Sequence, residues 1–170
     1  MKDATRSVHD FAGKRIEVTS ALPFDEVMNR LREQTGKSTV PLVNEVASQS
    51  RSPEEFDTEV TRRFVGPSGF MLFAEIEHSG WIALYGIHQR VLRIILGNPL
   101  FAITMMREDI SAGLFAPVEM LLVEDGEGSK LYYVQPSSLM VTVKNEPLLK
   151  AALALDTKFE ELIARITGLV

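Results

Sequence analysis

The C-terminal segment carries the pattern that most constrains how this chain can fold. Apolar residues recur there at spacings of four and three, which places them on one side of an α-helix. This helix is expected over residues 146–167, begun by Asn145 and Pro147 and ended by Gly168. A long helix with one apolar stripe needs another layer to cover, so we expect it to lie across a sheet. The stripe consists of Leu148, Ala152, Leu155, Phe159, Leu162 and Ile166.

Alternating apolar residues indicate the strands of that sheet. The predicted strands are residues 15–20, 70–78, 91–96, 118–124 and 130–135, with a further short one at 139–143. Helices are predicted at residues 24–35, 53–64 and 100–107, with short ones at 40–47 and 80–87, the last of them buried. The strands cluster in the middle of the chain and do not alternate with long helices. We therefore predict an α+β domain of two layers, a mostly antiparallel sheet covered by the long C-terminal helix.

The strand at residues 70–78 is expected to separate its side chains by parity. One set, opposite in parity to Glu75 and Glu77, is predicted to face the core, and His78 ends the strand with the same parity. The core-facing set is Phe70, Leu72, Ala74 and Ile76.

The composition excludes several classes of function but does not identify one. The 170 residues suit a single domain, and the net charge of −5 argues against a general nucleic-acid binder. The absence of cysteine excludes disulfides, thiolate nucleophiles and cysteine-based metal centres, and fits a cytoplasmic protein. No apolar run approaches the roughly 20 residues of a membrane helix, so no membrane association is expected. The sequence has no phosphate-binding or dinucleotide-binding fingerprint, and no cofactor is expected.

Two stretches of the chain resemble a known family. Residues 91–104, VLRIILGNPLFAIT, and residues 114–135, LFAPVEMLLVEDGEGSKLYYVQ, resemble the domain of unknown function 302, as does the placement of His78 before Gly86. The resemblance covers roughly residues 12–140, and the C-terminal helix follows it. The chain departs from the family pattern in a longer segment at residues 37–66. It also has Phe115-Ala116-Pro117 where a Leu-Pro pair is expected.

The resemblance implies a fold but no reaction. It implies a sheet gripped by a long helix, akin to the TATA-binding-protein-like folds, and a homodimer. It implies no established activity.

Two polar positions, His78 and Asn98, are candidates for chemistry. His78 either binds a ligand, a metal or a proton, or is a structural histidine bonded to backbone at a strand end. A metal site is disfavoured because the other histidines, His9 and His88, complete no recognised ligand spacing. Asn98, before Pro99, is interpreted as a helix N-cap, with anion binding at that helix end as the alternative.

Arg93 and the tyrosine pair complete the candidate ligand-binding residues. Arg93 interrupts an apolar strand, so it must reach solvent, a ligand, a subunit or a carboxylate, and pairing with a carboxylate is favoured. Tyr132 and Tyr133 are adjacent on a strand and therefore point to opposite faces.

Three functions are compatible with these residues. The leading hypothesis is a cleft between sheet and helix that binds a small apolar molecule or a protein partner, with His78, Arg93 and one of the tyrosines at its rim. The second is a cofactor-independent enzyme that uses His78 with a carboxylate. The third is an architectural homodimer in which Arg93 and the exposed tyrosine lie at the interface.

Overall fold

The centre of the molecule is a six-stranded sheet, seen in a computed structural model that describes residues 4–169. Its strands are β1 (Arg15–Ser20), β2 (Gly36–Lys37), β3 (Met71–Glu77), β4 (Val91–Gly97), β5 (Val118–Asp125) and β6 (Gly128–Val134). They lie side by side in the order β1-β6-β5-β4-β3-β2. Within residues 4–169, every neighbouring pair is antiparallel except β2 with β3. The predicted α+β class with a mostly antiparallel sheet is confirmed.

Helices flank and connect these strands. They are α1 (Phe24–Gln34), α2 (Val40–Gln49), α3 (Pro53–Phe64), α4 (Ser79–Ile82), α5 (Pro99–Met106), α6 (Pro136–Met140) and α7 (Glu146–Thr167). Two 3₁₀ segments, Ala83–Tyr85 and Ile110–Phe115, follow α4 and α5. No helix in the described part of the chain is long and apolar enough to cross a membrane.

The long C-terminal helix covers one face of the sheet, as its apolar stripe predicts. Phe159 of α7 is fully buried, with its ring centroid 5.9 Å from that of Phe70 and 5.2 Å from that of Tyr133. Asn145 is the N-cap of the helix, and its Oδ1 accepts a hydrogen bond from the Leu148 amide at 3.0 Å. Helix α1 packs beside α7, so the main core lies between these two helices and the sheet.

A β-bulge in β3 overturns the predicted facing of that strand. The register with β4 shifts between Leu72 and Ala74, which makes Phe73 an extra residue. Beyond the bulge, Glu75 lies opposite the fully buried Ile94 and therefore points to the helix-covered face. There its carboxylate accepts a hydrogen bond from Arg32 of α1 at 2.7 Å. Ala74 and Ile76, predicted to face the core, instead point to the opposite face of the sheet.

The segment at residues 80–87 was predicted to be buried, and this is wrong. Only Ile82 is buried, whereas Trp81 is 55% exposed, Leu84 84% and Tyr85 78%. The segment is a single turn of α-helix followed by a 3₁₀ turn, and Gly86 ends it with a left-handed φ of 80°. So short a helix offers the core only one side, so its remaining apolar residues stay outside.

The strand predicted at residues 139–143 is also absent, because the chain forms α6 at Pro136–Met140. Asp156 of α7 explains this helix. Asp156 is 4% exposed, and its carboxylate accepts hydrogen bonds from the Ser137 amide at 2.9 Å and from the Gln135 side chain at 2.7 Å. Because Ser137 is the second residue of α6, Asp156 caps the start of that helix from another helix.

Candidate functional site

Within residues 4–169, two of the concave regions differ in chemistry. The first, the sheet-face cavity, has a volume of about 600 Å³ and lies on the sheet face that α7 leaves free. Its lining includes Arg15, Arg93, Ile95, Phe115, Leu121 and Tyr132. The second, the end crevice, has a volume of about 390 Å³ and lies where β4 turns into α5. Its lining includes Phe70, Phe73, Asn98, Phe101, Met105 and Leu155.

Arg93 lies on the sheet-face cavity and is paired with a carboxylate, as the sequence favoured. Its Nε donates to Glu119 Oε2 at 2.7 Å, and its Nη2 donates to the same oxygen. Both side chains are about half exposed, so water screens the pair and its contribution to stability is small. The pair holds the guanidinium beside the cavity.

The two tyrosines point to opposite faces of β6, which confirms the parity prediction. Tyr132 lies on the free face, opposite Leu121, with the Arg15 guanidinium carbon 5.2 Å from its ring centroid. Tyr133 is buried under α7, and this burial raises the pKa of its hydroxyl. Tyr132 is therefore the tyrosine whose side chain a ligand on the free face would meet, whereas the Tyr133 ring belongs to the core.

Asn98 is buried and acts as the N-cap of α5. Its Oδ1 accepts a hydrogen bond from the Leu100 amide at 2.8 Å, and its Nδ2 donates to the Gly69 carbonyl at 2.8 Å. The N-cap interpretation is confirmed. The side chain also lines the end crevice, but its amide oxygen and nitrogen are already used by the protein.

His78 lies apart from both concave regions, at the junction of β3 and α4. Its Nδ1 accepts a hydrogen bond from Trp81 Nε1 at 3.3 Å, and the two rings meet edge to face. The neighbouring Glu77 carboxylate instead accepts from the amide and hydroxyl of Ser79. Among residues 4–169, His78 has no carboxylate hydrogen-bond partner, and no group of three or more His, Asp or Glu side chains is placed to hold a metal ion.

The predicted common rim for His78, Arg93 and a tyrosine therefore does not form. Arg93 and Tyr132 share the sheet-face cavity, Asn98 lies in the end crevice, Tyr133 is in the core, and His78 is elsewhere. The reason is that Phe70, Tyr133 and Phe159 fill the space between the sheet and α7. The sheet-face cavity and the end crevice lie outside this filled space, on the opposite face of the sheet and at the end of the layer.

Sequence reasoning missed two important lining residues. Arg15 alternates with Ile16 on an edge strand, a pattern that is typical of a solvated arginine. Phe101 lies in α5, which is apolar all round, so no periodicity indicated which face lines a crevice. Met105 and Met106 also line the end crevice, where their flexible side chains can adapt to a bound molecule.

A family model described as "Domain of unknown function DUF302" matches residues 44–166. The chain belongs to the DUF302 family. The match starts later than the stretch of resemblance at residues 12–140 and extends through most of α7. The long helix is thus part of the family's pattern.

A solved structure supports the DUF302 fold. The chain is similar to the "uncharacterized conserved protein DUF302 from Bacillus stearothermophilus", with a TM-score of 0.62 and 14% sequence identity. The similarity covers 89% of this chain and 97% of that chain. At this identity the comparison concerns the fold alone. The likeness to TATA-binding-protein-like folds stays a prediction. The search of the curated proteins found no match.

Proposed function

We propose that this DUF302 protein binds a small, uncharged apolar molecule in the end crevice. The observation that carries the proposal is the lining of the crevice, which contains no charged side chain and has Asn44 and Asn98 as its polar side chains. An unpaired charge buried in such surroundings is costly, so the lining selects for neutral ligands.

The walls of the crevice suit this role. Phe70, Met105 and Leu155 are buried and form its depth, whereas Phe101 is only half-buried beside them. The volume lies within the range of ordinary ligand pockets, about 300 to 1,000 Å³. A ligand that buried about 200 Å² of apolar surface there would gain roughly 5 kcal/mol before the cost of association. That gain is compatible with weak to moderate affinity.

A blocking substitution tests the proposal. Ala102 lines the crevice and is half-buried in α5, so Ala102→Phe places a ring inside it. The probe is N-phenylnaphthylamine, a neutral aromatic amine whose fluorescence rises in apolar surroundings. We expect the variant to bind this probe at least about tenfold more weakly than the wild type, a loss of about 1.4 kcal/mol.

The matched control is Ala154→Phe, the same change at an exposed position of α7 outside the crevice. It is expected to bind the probe as the wild type does. Circular dichroism establishes that both variants are folded. Equal affinity of Ala102→Phe and the wild type contradicts the proposal.

Two expectations stay predictions beside this proposal. The homodimer rests on the family resemblance, and light scattering at low protein concentration tests it, since a monomer removes it. The cytoplasmic location rests on composition.

A further inference from the structure

We propose that the sheet-face cavity is a second ligand site, separate from the end crevice, which takes a small organic anion with an apolar body. An aromatic carboxylate or sulfonate is the class that fits. In this arrangement Arg15 binds the acidic group and the apolar part lies on the sheet. The proposal does not depend on the end crevice being occupied.

The floor of the cavity is apolar. Ile95, Leu121 and Val134 belong to three adjacent strands and are half-buried on the free face. Phe115 and Tyr132 add aromatic surface beside them. Aromatic walls around an apolar floor favour a planar apolar group, which gains both burial and edge-to-face or stacked contacts.

The charges in the lining favour one negative charge on the ligand. Three charged side chains line the cavity, namely Arg15, Arg93 and Glu119. Two guanidiniums against one carboxylate leave a local charge of +1, although the whole chain carries −5. A ligand with one negative charge neutralises this local charge. The end crevice, by contrast, has no charged side chain in its lining.

Arg15 is the arginine that is ready to receive an anion. The Arg93 guanidinium is already hydrogen-bonded to Glu119. Within the described residues, Arg15 forms no ion pair with a carboxylate. Its guanidinium is instead 5.2 Å from the Tyr132 ring centroid, a cation–π contact that keeps it at the cavity while leaving its N–H groups for an acceptor.

The distance between the two arginines also suits an aromatic anion. Arg15 is on β1 and Arg93 is on β4, and β6 and β5 lie between them. Three inter-strand spacings give about 14 Å between the backbones of β1 and β4. Long side chains that extend over the sheet from both sides leave room for an aromatic ring over β5 and β6.

The experiment uses two fluorescent probes with the same ring system. Anilinonaphthalenesulfonate carries a sulfonate, and N-phenylnaphthylamine lacks it. We expect Arg15→Gln to weaken binding of the sulfonate about tenfold, the effect of losing one hydrogen bond to a charged group. Binding of the neutral probe is expected to stay unchanged. Raised salt is expected to weaken binding of the sulfonate probe but not of the neutral probe, because Arg15 is exposed and screened by ions.

A second variant gives a change of opposite sign. Glu119→Gln removes the carboxylate that occupies Arg93, so we expect tighter binding of the sulfonate. A merely structural role for these residues does not predict an increase. The matched control is Arg165→Gln, which removes an exposed arginine at the end of α7. It is expected to leave the binding of both probes unchanged.

Three results would overturn the proposal. The first is equal sulfonate affinity in the wild type and Arg15→Gln. The second is that Ala102→Phe loses binding of both probes, which would place the sulfonate in the end crevice. The third is a dimer in light scattering that dissociates on Arg15→Gln, which would make the free face a contact between copies. If the neutral probe fails to bind while the sulfonate binds through Arg15, only the proposed function of the end crevice fails.

Discussion

Removing the Asp156 carboxylate tests how the two C-terminal helices hold each other. Asp156→Ala takes away the acceptor of the Ser137 amide and of the Gln135 side chain. A hydrogen bond to a charged group contributes about 1.5 to 3 kcal/mol. The Ser137 amide is buried and loses its partner, whereas the half-buried Gln135 side chain can turn toward water. We therefore expect the variant to lose about 3 kcal/mol of unfolding free energy, near the lower end of the sum of the two bonds.

Asp156→Asn separates the hydrogen bond from the charge. Its amide oxygen still accepts from the Ser137 amide, so we expect about half of that loss, about 1.5 kcal/mol. Urea unfolding followed by circular dichroism measures both values. In a chain of this length, 3 kcal/mol corresponds to a fall in Tm of about 6 to 12 °C.

The control is Glu161→Ala, which removes an exposed carboxylate from the same helix. It is expected to change the unfolding free energy by no more than about 0.5 kcal/mol. If Asp156→Ala also stays within that range, Asp156 does not cap α6 and the account of that helix is wrong.

Two further predictions concern close packing and pH. A Cβ on Gly36 would overlap the Phe64 carbonyl oxygen, so Gly36→Ala is expected to lower the unfolding free energy by about 1 to 3 kcal/mol in urea unfolding. Gly80→Ala, where a Cβ meets open space, is expected to cause no such loss. The hydrogen-bonded Arg90 guanidinium lowers the pKa of the Asp25 carboxyl in the folded protein. The stability that this pair contributes is therefore present above the pKa of Asp25 in the unfolded chain, about 4. It is lost as the pH falls through the lower pKa of the folded protein. The stability difference between the wild type and Asp25→Asn should therefore shrink in urea titrations below about pH 4, and a difference that grows in acid contradicts this.

The elements that the sequence predicted well are those whose causes are local. Asn145 and Asn98 each cap a helix through an amide two or three residues ahead, so the signal lies within one turn. The stripe on α7 is likewise a property of one helix. The opposite facing of Tyr132 and Tyr133 follows from strand geometry alone.

The features that the sequence did not predict depend on distant partners. The bulge at Phe73 is defined by the register with β4, about 20 residues later in the chain. Helix α6 is capped by Asp156, which lies 19 residues from Ser137. The sheet-face cavity needs Arg15 from the first strand beside Tyr132 from the last, and only the pairing of β1 with β6 brings them together. A single sequence contains these residues but not their pairing.

The exposed turn after β3 also determines which part of the protein the tryptophan fluorescence monitors. Trp81 is the single tryptophan of the chain, and it lies on the surface with its indole N–H directed at His78. Because the indole is exposed, its emission is expected to follow hydration at that turn, and it is a poor monitor of the core. Tyr133 lies in the core against Phe159, and this packed aromatic contact is expected to contribute to the near-ultraviolet circular dichroism. Trp81 and Tyr133 thus report on different parts of the molecule, the turn at residues 79–85 and the packing under α7.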